Sequence, residues 1–320
     1  MHAALGGAAG DVRAGRPRRV TPLVLATLVG AAALVPFAAA VAAAAPAPLR
    51  FFVAGDGTLA VVNGHTDEQV SVRYRRPDGT YDEAAIARLR RLFRSADDSG
   101  DGRLALRLVE VLSRVQALAG GKRLVLVSGY RTPGYNETIR RQGAKAAAGS
   151  LHTEGLAADL AFPRPILRPL WLKVRSLDCC GAGYYAKEGF LHVDVGRPRF
   201  WEAATSRVDE NLSAGNARLF ARTEYDRYAT GEPIAVTLHA LTVPPVRIAR
   251  TARLGGHAAR VEAELPERDG CFEVGASGAA VRVVGAAPTS GRAPVALAVC
   301  EPRPERTPVE VETNAVEVGR

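Results

Sequence analysis

The stretch GSLHTEGLAADLAF, residues 149–162, sets the strongest condition on any fold this chain can adopt. Leu156, Ala157, Ala158, Leu160 and Ala161 call for burial, yet Asp159 sits among them. A carboxylate taken out of water without a partner is costly, so a fold that buries this run must bring it a cation or hydrogen-bond donors. His152, one of only six histidines, lies seven positions earlier in a turn of small residues. A metal ion shared by the two would satisfy the carboxylate, but it needs a further ligand from elsewhere.

GFLHVDVG, residues 189–196, can supply one. Strand alternation puts His192 and Asp194 on one face and Leu191, Val193 and Val195 on the other. The same rule places Asp159 beside Ala157 and Ala161, which leave room around it. If the two strands are neighbours, Asp159, His192 and Asp194 converge, and the turn at Gly155 delivers His152. Two imidazoles and one carboxylate make a three-ligand zinc site with a fourth position free for water; closed structural sites use four ligands, usually including thiolates. Zinc held in this way lowers the pKa of its water to around 7 and polarises a carbonyl, as amide hydrolysis requires.

Around these segments the patterns read as an α+β domain over residues 50–205, a small antiparallel sheet with flanking helices. RFFVA, TLAVV and QVSVRY are short β-rich runs. Asp82 reads as the N-cap of a helix with Ile86, Leu89, Leu92 and Phe93 on one face, and a second helix carries Leu104, Leu108, Val111, Leu112, Val115 and Leu118. DDSGDGR between them resembles a calcium loop, but its twelfth position is Leu108 where a bidentate Glu is required, so it reads as a solvated turn. KRLVLVS is a buried strand ending in the Gly and Pro turn of SGYRTPGYN, which exposes Arg131. AADLAF is another strand, ILRPLWLKVRSL a Pro-interrupted helix, and AGYYA with GFLHVDVG a closing strand pair. From Ser206 to residue 320 strands recur at short intervals with Gly and Pro turns, which reads as an all-β, sandwich-like domain of unassigned role. His239 and His257 stand alone there and read as structural or surface residues.

The first 45 residues differ in kind. Arg13, Arg16, Arg18 and Arg19 precede a charge-free apolar run from Val20 to Ala45 that ends in small residues, the pattern of a cleaved export signal. The run is also long enough for a membrane anchor, which would tether the protein. Without residues 1–45 the net charge of +9 falls to about +6. The basic residues are spread along the chain and not interleaved with aromatics, which argues against a nucleic-acid partner. In an exported chain four cysteines permit disulfides: Cys271 and Cys300 are left open between pairing and not, while the adjacent Cys179 and Cys180 are expected to remain thiols.

SGYRTPGYN, SLHTEGLAADL, GAGYY and GFLHVDVGRPRFW, in this order, resemble the zinc peptidases related to D-Ala-D-Ala carboxypeptidases and dipeptidases, in the lysostaphin/D-Ala-D-Ala peptidase/hedgehog superfamily. The nearest branch is the exported bacterial murein endopeptidases. The likeness covers residues 50–201 and stops before the β-rich part. It implies Zn²⁺ bound by His152, Asp159 and His192, peptidoglycan as substrate, and location in the periplasm or cell envelope. It also implies that Arg131 holds a substrate carboxylate or carbonyl, a task suited to its planar fork, the alternative being an internal salt bridge. Ser150 would orient the His152 loop, the alternative being an ordinary turn hydroxyl. The dipeptidase relatives carry their general base three residues before the last zinc histidine, where this chain has Gly189. Asp194 is therefore the first candidate base, Glu188 the second and Glu154 the third. The function expected is hydrolysis of amide bonds in stem peptides or cross-links. The alternatives are a non-catalytic wall-binding module that keeps the fold, and a zinc hydrolase acting on another peptide or small amide.

Overall fold

The computed structural model describes residues 49–98, 100–143, 146–147, 149–205, 219–240, 245–304 and 307–319. The leader read at 1–45 lies outside the described residues, among which no helix is long and apolar enough to cross a membrane.

Strands β1 (Thr58–Asn63) and β2 (Gln69–Arg73) form a hairpin. Helix α1 (Glu83–Leu92) begins at the expected cap, where the Asp82 carboxylate accepts from the Ala85 amide, and it buries Ile86, Leu89 and Leu92. Helix α2 (Leu106–Leu118) buries Leu108, Val111, Leu112 and Val115. Strand β3 (Leu124–Ser128) leads into α3 (Pro133–Arg141), β4 (Ala157–Ala161), α4 (Arg164–Arg175), β5 (Gly181–Tyr185), β6 (Phe190–Asp194) and β7 (Arg199–Glu202). Helix α3 continues what reads in sequence as a plain turn: the Thr132 hydroxyl accepts from the Tyr135 amide and Pro133 takes a first-turn position, where a missing N–H costs nothing. Helix α4 runs through Pro169 without the expected interruption; the amide that Pro169 lacks would have bonded to the carbonyl of Pro165, which lies in an exposed first turn.

These strands form one seven-stranded sheet in the order β2-β1-β3-β4-β6-β5-β7. It is larger than the small antiparallel sheet read from sequence, because β1–β3 and β5–β7 pair in parallel and extend both edges. Ala158, Leu160, Leu191, Val193 and Ala182 point to the side covered by α2 and α4, where the Trp171 indole donates to the Ala182 carbonyl. The opposite face carries Asp159, His192 and Asp194. RFFVA is not a strand. Its backbone is occupied elsewhere: the Arg50 carbonyl accepts from the Asp226 and Arg227 amides, and the Phe52 amide donates to the Asp226 carboxylate.

The C-terminal part comprises β8 (Leu219–Thr223), β9 (Arg227–Tyr228), β10 (Ile234–Ala240), β11 (Val246–Leu254), β12 (His257–Glu262), β13 (Glu267–Arg268), β14 (Cys271–Val274), β15 (Ala279–Val284), β16 (Ala293–Val299) and β17 (Glu310–Val318). In place of two stacked sheets, hydrogen bonding runs continuously through the order β8-β10-β15-β12-β11-β16-β17-β9, with β13 and β14 attached to β11. Register shifts in β11–β16 and β16–β17 let the sheet curl until Asn314 of β17 reaches the Thr223 amide and hydroxyl of β8. A second apolar core fills the curl, with Ile234, Leu238, Ile248, Val283 and Leu297 at its centre. Cys271 and Cys300 are bonded. Cys179 and Cys180 are bonded too, against expectation; they lie in a bend before β5, outside any regular strand or helix. All the described residues fall in one compact unit.

Candidate metal centre

The convergence conditional on strand pairing is met. β4 and β6 are antiparallel neighbours, and Asp159 stands directly across from His192, with Ala157 across from Asp194. His152 arrives on a short 3₁₀ turn, Leu151–Glu154, whose start is fixed by the Ser150 hydroxyl accepting from the His152 amide. The turn ends at Gly155 with φ +70°, and a Cβ there would lie 2.6 Å from the Arg103 backbone, so only glycine closes it. His152 is 3 % exposed, Asp159 5 %, His192 9 % and Asp194 0 %.

The ring nitrogens are sorted by their partners. His152 donates from Nδ1 to the Gly129 carbonyl at 2.7 Å, which turns its Nε2 lone pair inward. That nitrogen lies 3.3 Å from His192 Nδ1 and 3.4 Å from Asp159 Oδ2. His192 Nδ1 lies 2.8 Å from Asp159 Oδ1, and its Nε2 lies 3.1 Å from Asp194 Oδ2. His192 is thus clasped between two carboxylates. Burial alone would lower its pKa, but Asp159 and Asp194 outweigh it and raise the value above that of an ordinary imidazole. Burial, with Arg131 nearby, lowers that of His152. Burial works against ionisation of Asp159, yet the two histidines hold its carboxyl well below the usual range. One proton on His192 Nδ1 therefore faces a carboxylate and a lone pair together.

His152, Asp159 and His192 are the group among the described residues whose ligand atoms lie close enough to hold one metal ion. A tetrahedral zinc with ligands at 2.0–2.1 Å holds its ligand atoms about 3.3 Å apart. The His152 Nε2 separations of 3.3 Å to His192 Nδ1 and 3.4 Å to Asp159 Oδ2 match that spacing, while His192 Nδ1 sits at hydrogen-bond distance, 2.8 Å, from the other carboxylate oxygen, Asp159 Oδ1. The donor set fits as well, since a cation would replace the shared proton while each histidine keeps its other N–H on an oxygen acceptor.

Of the other predicted residues, Arg131 joins the cluster. Its Nη2 pairs with Asp159 Oδ2 at 2.8 Å and its Nε donates to the Ser128 hydroxyl at 2.8 Å. Asp194 lies at the far edge of His192, away from the cluster centre. Its Oδ1 accepts from the Gly196 amide at 2.9 Å, and Arg199 pairs with Oδ2 at 2.9 Å. Glu188 is exposed in the turn between β5 and β6; the neighbouring Gly189 carbonyl accepts from Phe162, three residues and roughly 10 Å along from Asp159. Glu154 turns away to pair with His239 at 3.2 Å.

Sequence reasoning passed over the opposite wall. Gly181 and Gly183 of β5 lie across from Asp194 and His192. A Cβ on Gly181 would fall 2.1 Å from Asp194 Oδ2, and one on Gly183 2.5 Å from the Trp201 ring. Trp201 leans on His192 with ring centres 5.2 Å apart and donates to the Tyr185 hydroxyl at 3.1 Å. The signal was present in GAGYY, where glycines at the first and third positions leave one face of the strand open as far as Tyr185.

Residues 53–201 match the Peptidase_M15_2 family, described as peptidoglycan L,D-endopeptidase MepK. The chain is 31 % identical over 144 residues to peptidoglycan L,D-endopeptidase MepK of Escherichia coli K12, covering 45 % of this chain and 79 % of that protein. The chain belongs to the M15 peptidase family of MepK. A probable peptidoglycan L,D-endopeptidase MepK of Haemophilus influenzae is 28 % identical over 142 residues, covering 44 % of this chain and 76 % of its own length. The matched MepK segment contains all the cluster residues and ends at Trp201, ahead of the C-terminal sheet.

Proposed function

We propose that this chain is an exported, zinc-dependent peptidase that hydrolyses an L,D amide bond in peptidoglycan stem peptides or their cross-links. The observation that carries the reading is the meeting of two imidazole nitrogens and one carboxylate close enough together to share one ion, in a chain whose relatives are named for that activity. His152 through Nε2, Asp159 through its carboxylate and His192 through Nδ1 would hold Zn²⁺. Bound there, the ion would supply an activated water at neutral pH and polarise the scissile carbonyl.

The chain's own residues do the rest. The Gly129 carbonyl and Asp194 fix the two imidazoles in the tautomers that point lone pairs inward. In this reading Asp194 acts through His192 and not as the base, Glu154 is committed to His239, and Glu188 lies outside the cluster. Arg131, anchored by Ser128, offers the guanidinium's other terminal nitrogen to a substrate carbonyl or carboxylate at the cluster edge. Trp201 gives that edge an apolar wall. Residues 50–205 form the catalytic part; the family match ends within it and the second core lies beyond it. The leader at 1–45 would direct the chain to the periplasm or cell envelope.

The test is digestion of purified sacculi by the mature protein, read as released muropeptides by mass spectrometry. Activity should vanish on chelation, return with Zn²⁺, and be absent from His152→Ala. Metal-free protein that cuts equally fast would refute zinc dependence. Wild type that binds sacculi without cutting cross-linked or uncross-linked substrates would identify a wall-binding module.

A further inference from the structure

Strand β8 faces two ways. Leu219 and Ala221 enter the second core, while alternation turns Phe220 and Arg222 toward the catalytic sheet, and Phe220 is part of that sheet's own core. Arg222 donates from Nε to the Val195 carbonyl at 3.0 Å and from Nη2 to the Gly196 carbonyl. Those carbonyls belong to the turn directly after β6, whose Gly196 amide holds Asp194 against His192. Burial pushes the Arg222 guanidinium down to about 10, which leaves it charged at neutral pH.

A second contact reaches the other histidine. His239 of β10 pairs across from Phe220, stacks on its ring at 4.8 Å, and places Nδ1 3.2 Å from Glu154 Oε2. Ser277, between β14 and β15, also hydrogen-bonds the Glu154 carboxylate. Glu154 closes the turn that carries His152. The two segments that deliver the candidate imidazoles are therefore each held from behind by the C-terminal sheet, which the MepK family match does not include.

We infer that the C-terminal sheet is a positioning element of the metal centre: Arg222 holds the 195–196 turn that sets Asp194 on His192, and His239 with Ser277 holds the end of the turn that sets His152. The inference rests on the metal-site reading above. Groups behind metal ligands typically shift metal affinity by about 10–100-fold when removed.

The experiment uses the whole mature chain with Arg222→Ala, Arg222→Lys, His239→Ala and Glu232→Ala. Glu232 pairs with Arg50 in the same interface, but seven residues and roughly 23 Å along the chain from His239. Zn²⁺ affinity is measured by competition with a chromophoric chelator, and hydrogen exchange is followed in residues 150–155 and 193–197. Arg222→Ala should weaken zinc binding about tenfold and raise exchange in 193–197; His239→Ala should do the same with exchange in 150–155. Arg222→Lys should recover part of the loss by reaching one carbonyl, and Glu232→Ala should lower Tm without changing affinity. Folded Arg222→Ala and His239→Ala proteins with wild-type affinity and exchange would overturn the inference, as would an equal loss of affinity in Glu232→Ala. If Arg222→Ala does not fold, His239→Ala and Arg222→Lys decide. If the wild type binds no zinc, the metal reading fails by itself, and the exchange data still decide whether the sheet braces the two turns.

Discussion

Replacing Asp194 by Asn separates metal binding from folding more sharply than any other single change at the site. The carboxylate accepts on both oxygens: Oδ1 from the Gly196 amide at 2.9 Å and Oδ2 from His192 Nε2 at 3.1 Å. Arg199 also pairs with it, but that side chain is 47 % exposed and can turn to water. An amide can accept on one side only. With its oxygen kept on the fixed Gly196 amide, its NH₂ faces His192 Nε2, which must give up its proton and accept. The one proton left on the ring is that on Nδ1, where Asp159 Oδ1 accepts it at 2.8 Å. Without metal this arrangement is fully hydrogen-bonded, so the cost to folding is that of one lost charge-assisted bond, about 1.5–3 kcal/mol. A metal needs the Nδ1 lone pair, and regaining it sets two donors against each other. Zinc affinity should therefore fall about 10–100-fold, or about 1.4–2.7 kcal/mol. Chelator competition gives the affinity and urea titration of the metal-free protein gives the stability. An Asp194→Asn protein with wild-type zinc affinity would refute the tautomer argument, whatever its stability.

Three further outcomes follow from the same geometry. Arg131→Ala removes a charged donor from the cluster edge and should lower kcat/KM on cross-linked muropeptides about 10–100-fold, with zinc still bound; unchanged kinetics would leave Arg131 only its pairing with Asp159. Gly183→Ala drives a methyl to 2.5 Å from the Trp201 ring and should cost about 1–3 kcal/mol by urea titration, while no loss would mean that the Trp201 wall yields freely. For Glu232, burial raises the carboxyl pKa but Arg50 and the Ala229 amide outweigh it, leaving the folded value below the unfolded one. Its contribution is present above the unfolded value near 4.3 and is lost as pH falls through the lower folded value, so wild type should lose more Tm than Glu232→Gln across that window. Parallel acid limbs for the two proteins would exclude the pair as a source of stability.

Local patterns carried much of this into the sequence. Asp82 had to cap α1, and the apolar spacing had to form α2, because those signals act within a few residues. Asp159 amid alanines and leucines demanded a partner, and the alternation in GFLHVDVG required His192 and Asp194 to share a face. The run RFFVA looked like a strand by composition but spends its backbone on Asp226, more than 170 residues away. Neither parallel edge pairing nor the continuous curl of the C-terminal sheet has a local signature, since both depend on which strands meet.

The sequence by itself determined which residues can carry chemistry and which way each points along its own strand, because side-chain alternation and burial are properties of short segments. Tertiary structure alone decided which carboxylate faces which ring nitrogen. It put Asp194 behind His192, sent Glu154 to His239, and set Arg222 under the turn that follows Asp194. Those choices rest on hydrogen-bond geometry between strands far apart in the chain, and a spacing motif records the residues without recording the contacts.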